Sequence, residues 1–240
     1  MSKGPAVHER TSEFLLGGFE KRALPWLAAR MPNWVLPDHL TALGLAASTF
    51  IAIAYMLSNR DSRWLWAASA ALIVQWFGDS LDGNLARYRK ITRPRYGYYL
   101  DHLTDAYSTL AIGLGLGLSP YMLLAVGLAI VTAYLILSIN VYLETYVFGE
   151  FSFSYGKLGP TEVRVLLMLL NAAAFFVGAW QFELLGFYMT AFDVAGALIA
   201  LGMLVMLLGR ASGNLRKLAA LEPPNTINYD PINRPETATQ

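Results

Sequence analysis

The feature that most constrains this chain is a run of 38 residues, 106–143, that contains no Asp, Glu, Lys or Arg. A helix crosses the hydrocarbon core of a bilayer in about 20 residues, so the run is long enough for nearly two crossings. Ser119 and Pro120 lie near its middle, where they favour a turn between two helices. The run therefore predicts a hairpin of two membrane helices.

The composition agrees with a protein that crosses a membrane several times. Hydrophobic residues make up 55% of the chain and charged residues 15%, whereas about 25% of the residues of a soluble domain are charged. The formal net charge is +1, so no basic excess indicates a nucleic-acid partner, and we expect none. The absence of cysteine excludes disulfides, thiol catalysis and cysteine-ligated zinc or iron–sulfur sites.

Apolar segments of similar length predict six membrane helices. The predicted spans are 39–59, 64–87, 97–118, 121–147, 162–182 and 188–209. Lys and Arg cluster before the first span, in the second loop and after the last span, whereas the third and fifth loops have none. Because basic loops stay on the cytoplasmic side, both termini and the second and fourth loops are predicted to be cytoplasmic. The expected location is the bacterial inner membrane.

The chain divides into three predicted parts. Residues 1–36 interleave aromatic and charged side chains, which predicts a cytoplasmic segment with an amphipathic helix in the membrane interface. Residues 37–212 hold the six spans, with Asp38 positioned to cap the first helix. Residues 213–240 form a flexible cytoplasmic tail, rich in Pro, Asn and Thr from Pro223 onward. The predicted fold class is all-α integral membrane, with six transmembrane helices and an N-terminal amphipathic helix.

Four aspartates lie at helical spacing where the second span ends and the third begins. Asp79 and Asp82 are three residues apart, and Asp101 and Asp105 are four apart, so each pair shares one helix face. The two helices are joined by a short loop and run antiparallel, so both pairs can converge on the cytoplasmic side. Ionised carboxylates near hydrocarbon need counter-charge. Their oxygen ligands suit Mg²⁺ or Mn²⁺, and four acids suffice for two ions that would polarise a phosphate.

Small and basic residues accompany the first pair of aspartates. Gly83 and Ala86 carry no bulk, which lets a large anionic ligand approach the helix backbone, and Arg87 can reach a phosphate with its fork of donors. A cation- or proton-coupled transporter also keeps acids inside a membrane, and it is the remote alternative to an enzyme. The glycines and Arg87 favour the enzyme.

The acidic stretch resembles the signature of the CDP-alcohol phosphotransferase family, also called the CDP-alcohol phosphatidyltransferase family, D-x2-D-G-x2-A-R…G-x3-D-x3-D. All eight defining positions are filled between Asp79 and Asp105, and the six-span layout extends the resemblance over roughly residues 35–212. Such a match is far more specific than a lone glycine motif. Family members commonly have Pro-Asn at the start of the first span, where this chain has Pro37 and Asp38.

The resemblance implies roles for the motif residues. Two divalent ions, Mg²⁺ or Mn²⁺, would be held by Asp79, Asp82, Asp101 and Asp105. Asp105 would also act as the general base on the acceptor hydroxyl. The CDP-linked donor would be bound by Asp82, Gly83, Ala86, Arg87 and Gly97.

The implied reaction is a two-metal displacement at the phosphorus distal to cytidine, which releases CMP and forms a phospholipid. The partners would be a CDP-linked donor, a hydroxyl acceptor, membrane lipid and a second copy of the chain in a homodimer. Two substrate arrangements fit. The single-domain, six-span chain favours CDP-diacylglycerol with a small polar alcohol. The segment Gly-Pro-Thr-Glu at 159–162 favours CDP-choline or CDP-ethanolamine with diacylglycerol.

Three residues around the start of the fifth span are weaker candidates for contacts with the acceptor or its phosphate: Lys157, Glu162 and Arg164. The alternative is a structural one, since Pro160 suits the first turn of a helix and Glu162 would favour the helix dipole.

Several other polar or glycine residues have mainly structural interpretations. Residues 113–117, Gly-Leu-Gly-Leu-Gly, predict close helix packing, and Asn171 predicts a hydrogen bond between helices. Asp193 and His102 are interpreted as packing residues, and Glu144 could cap a pocket or pair with Lys157.

Overall fold

The computed structural model of the protein describes residues 15–148, 159–184 and 186–223. Its elements are α1 Gly17–Arg30, α2 Pro37–Leu57, α3 Trp64–Tyr88, α4 Pro94–Gly117, α5 Leu124–Phe148, α6 Pro160–Val177, β1 Gln181–Leu184, β2 Phe187–Thr190 and α7 Ala191–Leu221. The two strands form one antiparallel hairpin, and the rest of the described secondary structure is helical. Lys157 and residues 224–240 lie outside the described ranges.

Within the described ranges, four helices, α2, α5, α6 and α7, are long and apolar enough to cross a membrane. The 25 residues of α3 and the 24 of α4 correspond to roughly 36 Å of helix or more, enough to cross about 30 Å of hydrocarbon. Both helices, however, carry aspartates and arginines at their adjoining ends. The chain is therefore an integral membrane protein of the all-α class, and the count of six spans stays a prediction.

Helix α2 packs between α3 and α4, α5 packs against α4 and α7, and α1 and α6 both pack on α3. Asn171 joins three of these helices, because it accepts a hydrogen bond from the Tyr55 hydroxyl and donates one to Ser69 Oγ, each over 3.0 Å. The predicted role of Asn171 as a hydrogen-bonding residue between helices is confirmed.

Glycines set the closest helix contacts. A methyl group at Gly78 of α3 would lie 2.6 Å from the carbonyl oxygen of Leu40 on α2. A methyl group at Gly113 of α4 would lie 2.2 Å from Val131 Cγ2 on α5, and one at Gly115 would lie 2.6 Å from Ala52 Cα on α2. The prediction of close packing for residues 113–117 is therefore confirmed.

The structure corrects the capping role predicted for Asp38 and the predicted start of the last span. Helix α2 begins at Pro37, but Asp38 makes no capping hydrogen bond; the Leu36 amide is bound by His39 Nδ1 over 3.2 Å instead. The last span begins at Ala191 rather than at 188, because Tyr188 belongs to β2. Thr190 and Asp193 form a capping box at that start, and Asp193 also accepts a hydrogen bond from the Leu123 amide over 2.6 Å.

The far end of α7 also differs from the sequence-based division. The predicted boundary at 212 falls inside the helix, which continues to Leu221. Near this end, Glu144 of α5 accepts hydrogen bonds from Arg210, Asn214 and Asn140. Glu144 therefore ties α5 to α7.

Candidate active site

A cavity of about 820 Å³ is lined by α1, the starts of α2 and α6, the C-terminal part of α3 and the N-terminal half of α4. Ten of the eleven residues predicted to form the site line it: Asp79, Asp82, Gly83, Ala86, Arg87, Gly97, Asp101, Asp105, Glu162 and Arg164. The eleventh, Lys157, lies outside the described residues. Predicted site residues as distant in the sequence as Asp79 and Arg164, which are 85 positions apart, thus meet at one cavity.

The two aspartates of α3 are each held by a side chain from a neighbouring helix. Thr41 of α2 donates its hydroxyl hydrogen to Asp82 Oδ2 over 2.6 Å. Arg164 of α6 donates from Nη2 to Asp79 Oδ2 and from Nε to Gln75 Oε1, each over 2.5 Å. Both carboxylates therefore have an oxygen that is fixed by an external donor.

The two aspartates of α4 lie beside His102. Ligand atoms of Asp101, His102 and Asp105 all lie within 4.8 Å of one another. The His102 ring packs between Tyr98 and Tyr142, with centroid distances of 4.1 and 4.7 Å, which is consistent with the packing role predicted for it. Its Nδ1 also lies 3.5 Å from Asp101 Oδ2, so this imidazole is a close neighbour of the acidic group.

The donor set of the cavity fits a hard divalent cation. Four carboxylates from two adjoining helices line it, and carboxylate oxygens are the type of ligand that Mg²⁺ and Mn²⁺ prefer. Like charges so close together repel one another unless cations or protons intervene. The Asp101 side chain is 51% exposed, so an ion can reach it from the cavity.

The glycines of the motif differ in what surrounds them. A methyl group at Gly83 would lie 3.4 Å from Nη1 of Arg87, so the absent side chain leaves room for that guanidinium. A methyl group at Gly97 would meet no atom within 4 Å, so this glycine borders open space in the cavity. Gly97 therefore keeps the helix backbone accessible to a large ligand, whereas Gly83 makes room for Arg87.

Two glutamates, one on α1 and one on α6, join the N-terminal segment to the start of α6 at one wall of the cavity. Glu20 of α1 accepts hydrogen bonds from Trp76 Nε1 over 2.9 Å and from the Thr161 hydroxyl over 2.5 Å. Glu162 at the start of α6 accepts from the Leu16 amide over 2.7 Å and from the Gly159 amide over 2.9 Å. Glu162 therefore lines the cavity, as predicted, and also binds the backbone amide that precedes α6, which was the structural alternative.

Charged residues also meet at the edge of the cavity. Arg93, in the loop before α4, forms an ion pair with Asp38 and stacks on the Tyr96 ring at 3.9 Å from its centroid. The hydrogen bond with Asp38 raises the pKa of the Arg93 guanidinium above its ordinary value, so this arginine stays cationic. Asp38 thus links the start of α2 to the loop between α3 and α4.

Among the cavity residues that were not predicted from the sequence, Glu20, Thr41 and Arg93 make polar side-chain contacts at the site. Thr41 lies close to the polar residues Asp38 and His39, so its hydroxyl did not stand out in the sequence. Glu20 lies among other charged residues of α1, and Arg93 lies in a basic loop, so neither stood out from its neighbours.

The fold and the cavity together define a polytopic membrane protein with an acidic site between the adjoining ends of two helices. The sequence profile of the CDP-alcohol phosphatidyltransferase family matches residues 34–208. The chain belongs to this family, whose members are transferases of substituted phosphate groups.

Curated relatives carry two kinds of name. Cholinephosphotransferase 1 of Gallus gallus is 28% identical over 192 residues, which cover 72% of this chain and 54% of that protein. The Danio rerio protein of the same name is 25% identical over 71% of this chain and 47% of its own length. Phosphatidylinositol phosphate synthase of Cutibacterium acnes is 31% identical over 107 residues, 44% of this chain and 49% of that protein. The chain thus spans about half the length of the curated relatives it matches.

Proposed function

We propose that this chain transfers a substituted phosphoryl group from a CDP-linked donor to a hydroxyl acceptor at the membrane and releases CMP. The observation that carries the proposal is the meeting of all eight motif residues, Asp79 to Asp105, at one cavity of about 820 Å³. A cavity of this size suits a nucleotide-linked ligand. Family membership supports the same reaction class.

In this proposal the four carboxylates hold two divalent ions, Mg²⁺ or Mn²⁺. Asp79, Asp82 and Asp101 act as ligands, and Asp105 is both a ligand and the general base. When bound, such ions neutralise charge on the diphosphate and on the phosphorus under attack.

The chain's own side chains perform the remaining steps. Arg87, whose guanidinium lies over Gly83, binds the diphosphate of the donor. The oxygen of the acceptor hydroxyl forms a bond to the distal phosphorus, and Asp105 accepts the proton that this hydroxyl loses. The bond from that phosphorus to the bridging oxygen breaks, and CMP leaves with that oxygen. Asp82, Ala86 and Gly97 line the part of the cavity that receives the donor.

Two assignments of donor and acceptor remain candidates. The sequence favours CDP-diacylglycerol as the donor of a phosphatidyl group and a small polar alcohol as the acceptor. The names of the relatives that match the larger share of this chain favour CDP-choline or CDP-ethanolamine with diacylglycerol. Both assignments use the same CDP-binding motif and differ in which side of the reaction carries the lipid.

Purified protein in detergent with both donor classes and a panel of acceptors tests this proposal. We expect CMP to appear only when a matching donor and acceptor are both present, without any ion gradient. EDTA should abolish CMP release, and Mg²⁺ or Mn²⁺ should restore it. A lipid product labelled from CDP-diacylglycerol would select the first assignment, and one labelled from CDP-choline the second.

The transporter alternative has a distinct outcome in the same experiment. No CMP release with any pair, together with gradient-driven uptake in proteoliposomes, would contradict the enzyme. Asp105→Asn provides a matched control, because it should abolish turnover more than it weakens donor binding. We also propose that the chain acts as a homodimer, which sedimentation of the purified protein would test.

A further inference from the structure

Arg164 is buried although it is charged, with 8% of its surface exposed. It lies in the first turns of α6, and its guanidinium reaches across to α3. There it donates to the carboxylate of Asp79 and to the side-chain oxygen of Gln75. Gln75 and Asp79 are four residues apart on one helix, so the planar guanidinium spans a full turn of α3.

The two partners of Arg164 differ in their relation to the cavity. Asp79 lines the cavity with the other motif residues, whereas Gln75 is 3% exposed and is not among the lining residues. Gln75 therefore serves as an anchor that fixes the plane of the guanidinium. With that plane fixed, the charge-assisted bond from Nη2 fixes Asp79 Oδ2 as well.

Charge gives Arg164 a second effect on the same carboxylate. Asp79 shares the cavity lining with the carboxylates of Asp82, Asp101 and Asp105, which repel it, and its own side chain is only 21% exposed. A cation in direct contact with it offsets part of this repulsion. Asp79 is thus oriented and balanced in charge before any ligand arrives.

We propose that Arg164 is a positioning residue that acts through Asp79, holding this carboxylate ready for a divalent cation with Gln75 as its anchor. The inference rests on the proposed function, because it takes Asp79 as a metal ligand. It differs from the role predicted from the sequence, in which Arg164 touches the acceptor or its phosphate. The two roles predict changes in different measurements.

Mn²⁺ binding to the purified protein in detergent, without any substrate, separates these roles. Free Mn²⁺ is measured by electron paramagnetic resonance during titration of the wild type, Arg164→Met, Arg164→Lys and Gln75→Leu. We expect Arg164→Met to weaken binding about tenfold or more, since loss of a group that orients a metal ligand typically has such an effect. Gln75→Leu should weaken Mn²⁺ binding less than Arg164→Met does. Arg164→Lys should also weaken it less, because lysine keeps the positive charge but lacks the planar guanidinium with its several donors.

Arg216→Met is the matched control, because Arg216 is exposed on α7 and does not line the cavity. It should bind Mn²⁺ like the wild type. Unchanged or tighter Mn²⁺ binding by Arg164→Met would overturn the proposal, and a raised acceptor KM in that variant would assign Arg164 to the acceptor. If Arg164→Met does not fold, unchanged binding by Gln75→Leu overturns the proposal instead. A wild type that binds no Mn²⁺ would contradict the metal site itself, and this result is visible before any variant is compared.

Discussion

At the scale of single residues, Thr41 offers a test of the cavity that leaves its charges untouched. Its hydroxyl donates to Asp82 Oδ2 over 2.6 Å, and the Pro37 carbonyl oxygen is a more distant acceptor at 3.2 Å. Thr41→Val keeps the shape and removes this donor, so Asp82 should keep the Gly83 amide on Oδ1 but lose the hydrogen bond that holds Oδ2. We expect a drop of about tenfold in Mn²⁺ affinity, measured by the same titration, with a change in unfolding free energy of about 1 kcal/mol.

Thr41→Ser is the control, because it keeps the hydroxyl on a smaller side chain. It should bind Mn²⁺ nearly as the wild type does. Equal affinities in Thr41→Val and the wild type would show that the hydrogen bond does not orient Asp82.

Residues of the cavity differed in how well the sequence predicted them. The four aspartates stand at helical spacing within one 27-residue stretch, 79–105, so local periodicity was enough to group them. Their supports come from elsewhere: Thr41 precedes Asp82 by 41 positions, and Arg164 follows Asp79 by 85. Contacts of this kind depend on how helices pack, and no local pattern encodes them.

At the scale of helices, the contact between α2 and α3 is set by Gly78, directly before Asp79. A methyl group there would lie 2.6 Å from the Leu40 carbonyl oxygen and 2.7 Å from the Gly44 amide nitrogen. Both are backbone atoms, so the helices must move apart to accommodate Gly78→Ala. We expect a loss of about 1–3 kcal/mol in stability, seen as a lower unfolding temperature in detergent, together with lower activity.

Gly202→Ala is the matched control for this prediction. Gly202 also lies inside a helix, α7, but a methyl group there would meet no atom within 4 Å. Because alanine favours a helix over glycine, the control should leave stability unchanged or raise it by up to about 1 kcal/mol. Equal effects of the two substitutions would contradict a contact limited by Gly78.

Helices were easier to predict than their ends. Long apolar runs indicated segments that cross the membrane. Such a segment must be helical, because a helix satisfies the backbone hydrogen bonds within itself. Asp38 was assigned to a helix cap from residue type alone, but its carboxylate forms an ion pair with Arg93 instead. The hairpin before α7 was missed because Phe187 and Tyr188 also suit the start of an apolar span.

At the scale of the whole molecule, the end of the protein that holds the cavity differs in charge from the opposite end. The adjoining ends of α3 and α4 carry the acidic motif and, between them, the basic residues Arg89, Lys90 and Arg93. The opposite end of α3 begins at Trp64, after a loop that holds Arg60 and Arg63. Because the stronger basic cluster marks the cytoplasmic side, we predict that the cavity opens toward the cytoplasm.

Single cysteines test this orientation, since the chain has none of its own. Thr92 and Ser62 lie just beyond opposite ends of α3, whose 25 residues extend over roughly 37 Å. In intact cells an impermeant thiol reagent should label Ser62→Cys, and it should label Thr92→Cys only after the membrane is permeabilised. Labelling of Thr92→Cys alone would invert the orientation and place the cavity on the outer side. Equal labelling of both in intact cells would mean that α3 does not cross the membrane, and the six-span arrangement would then be wrong.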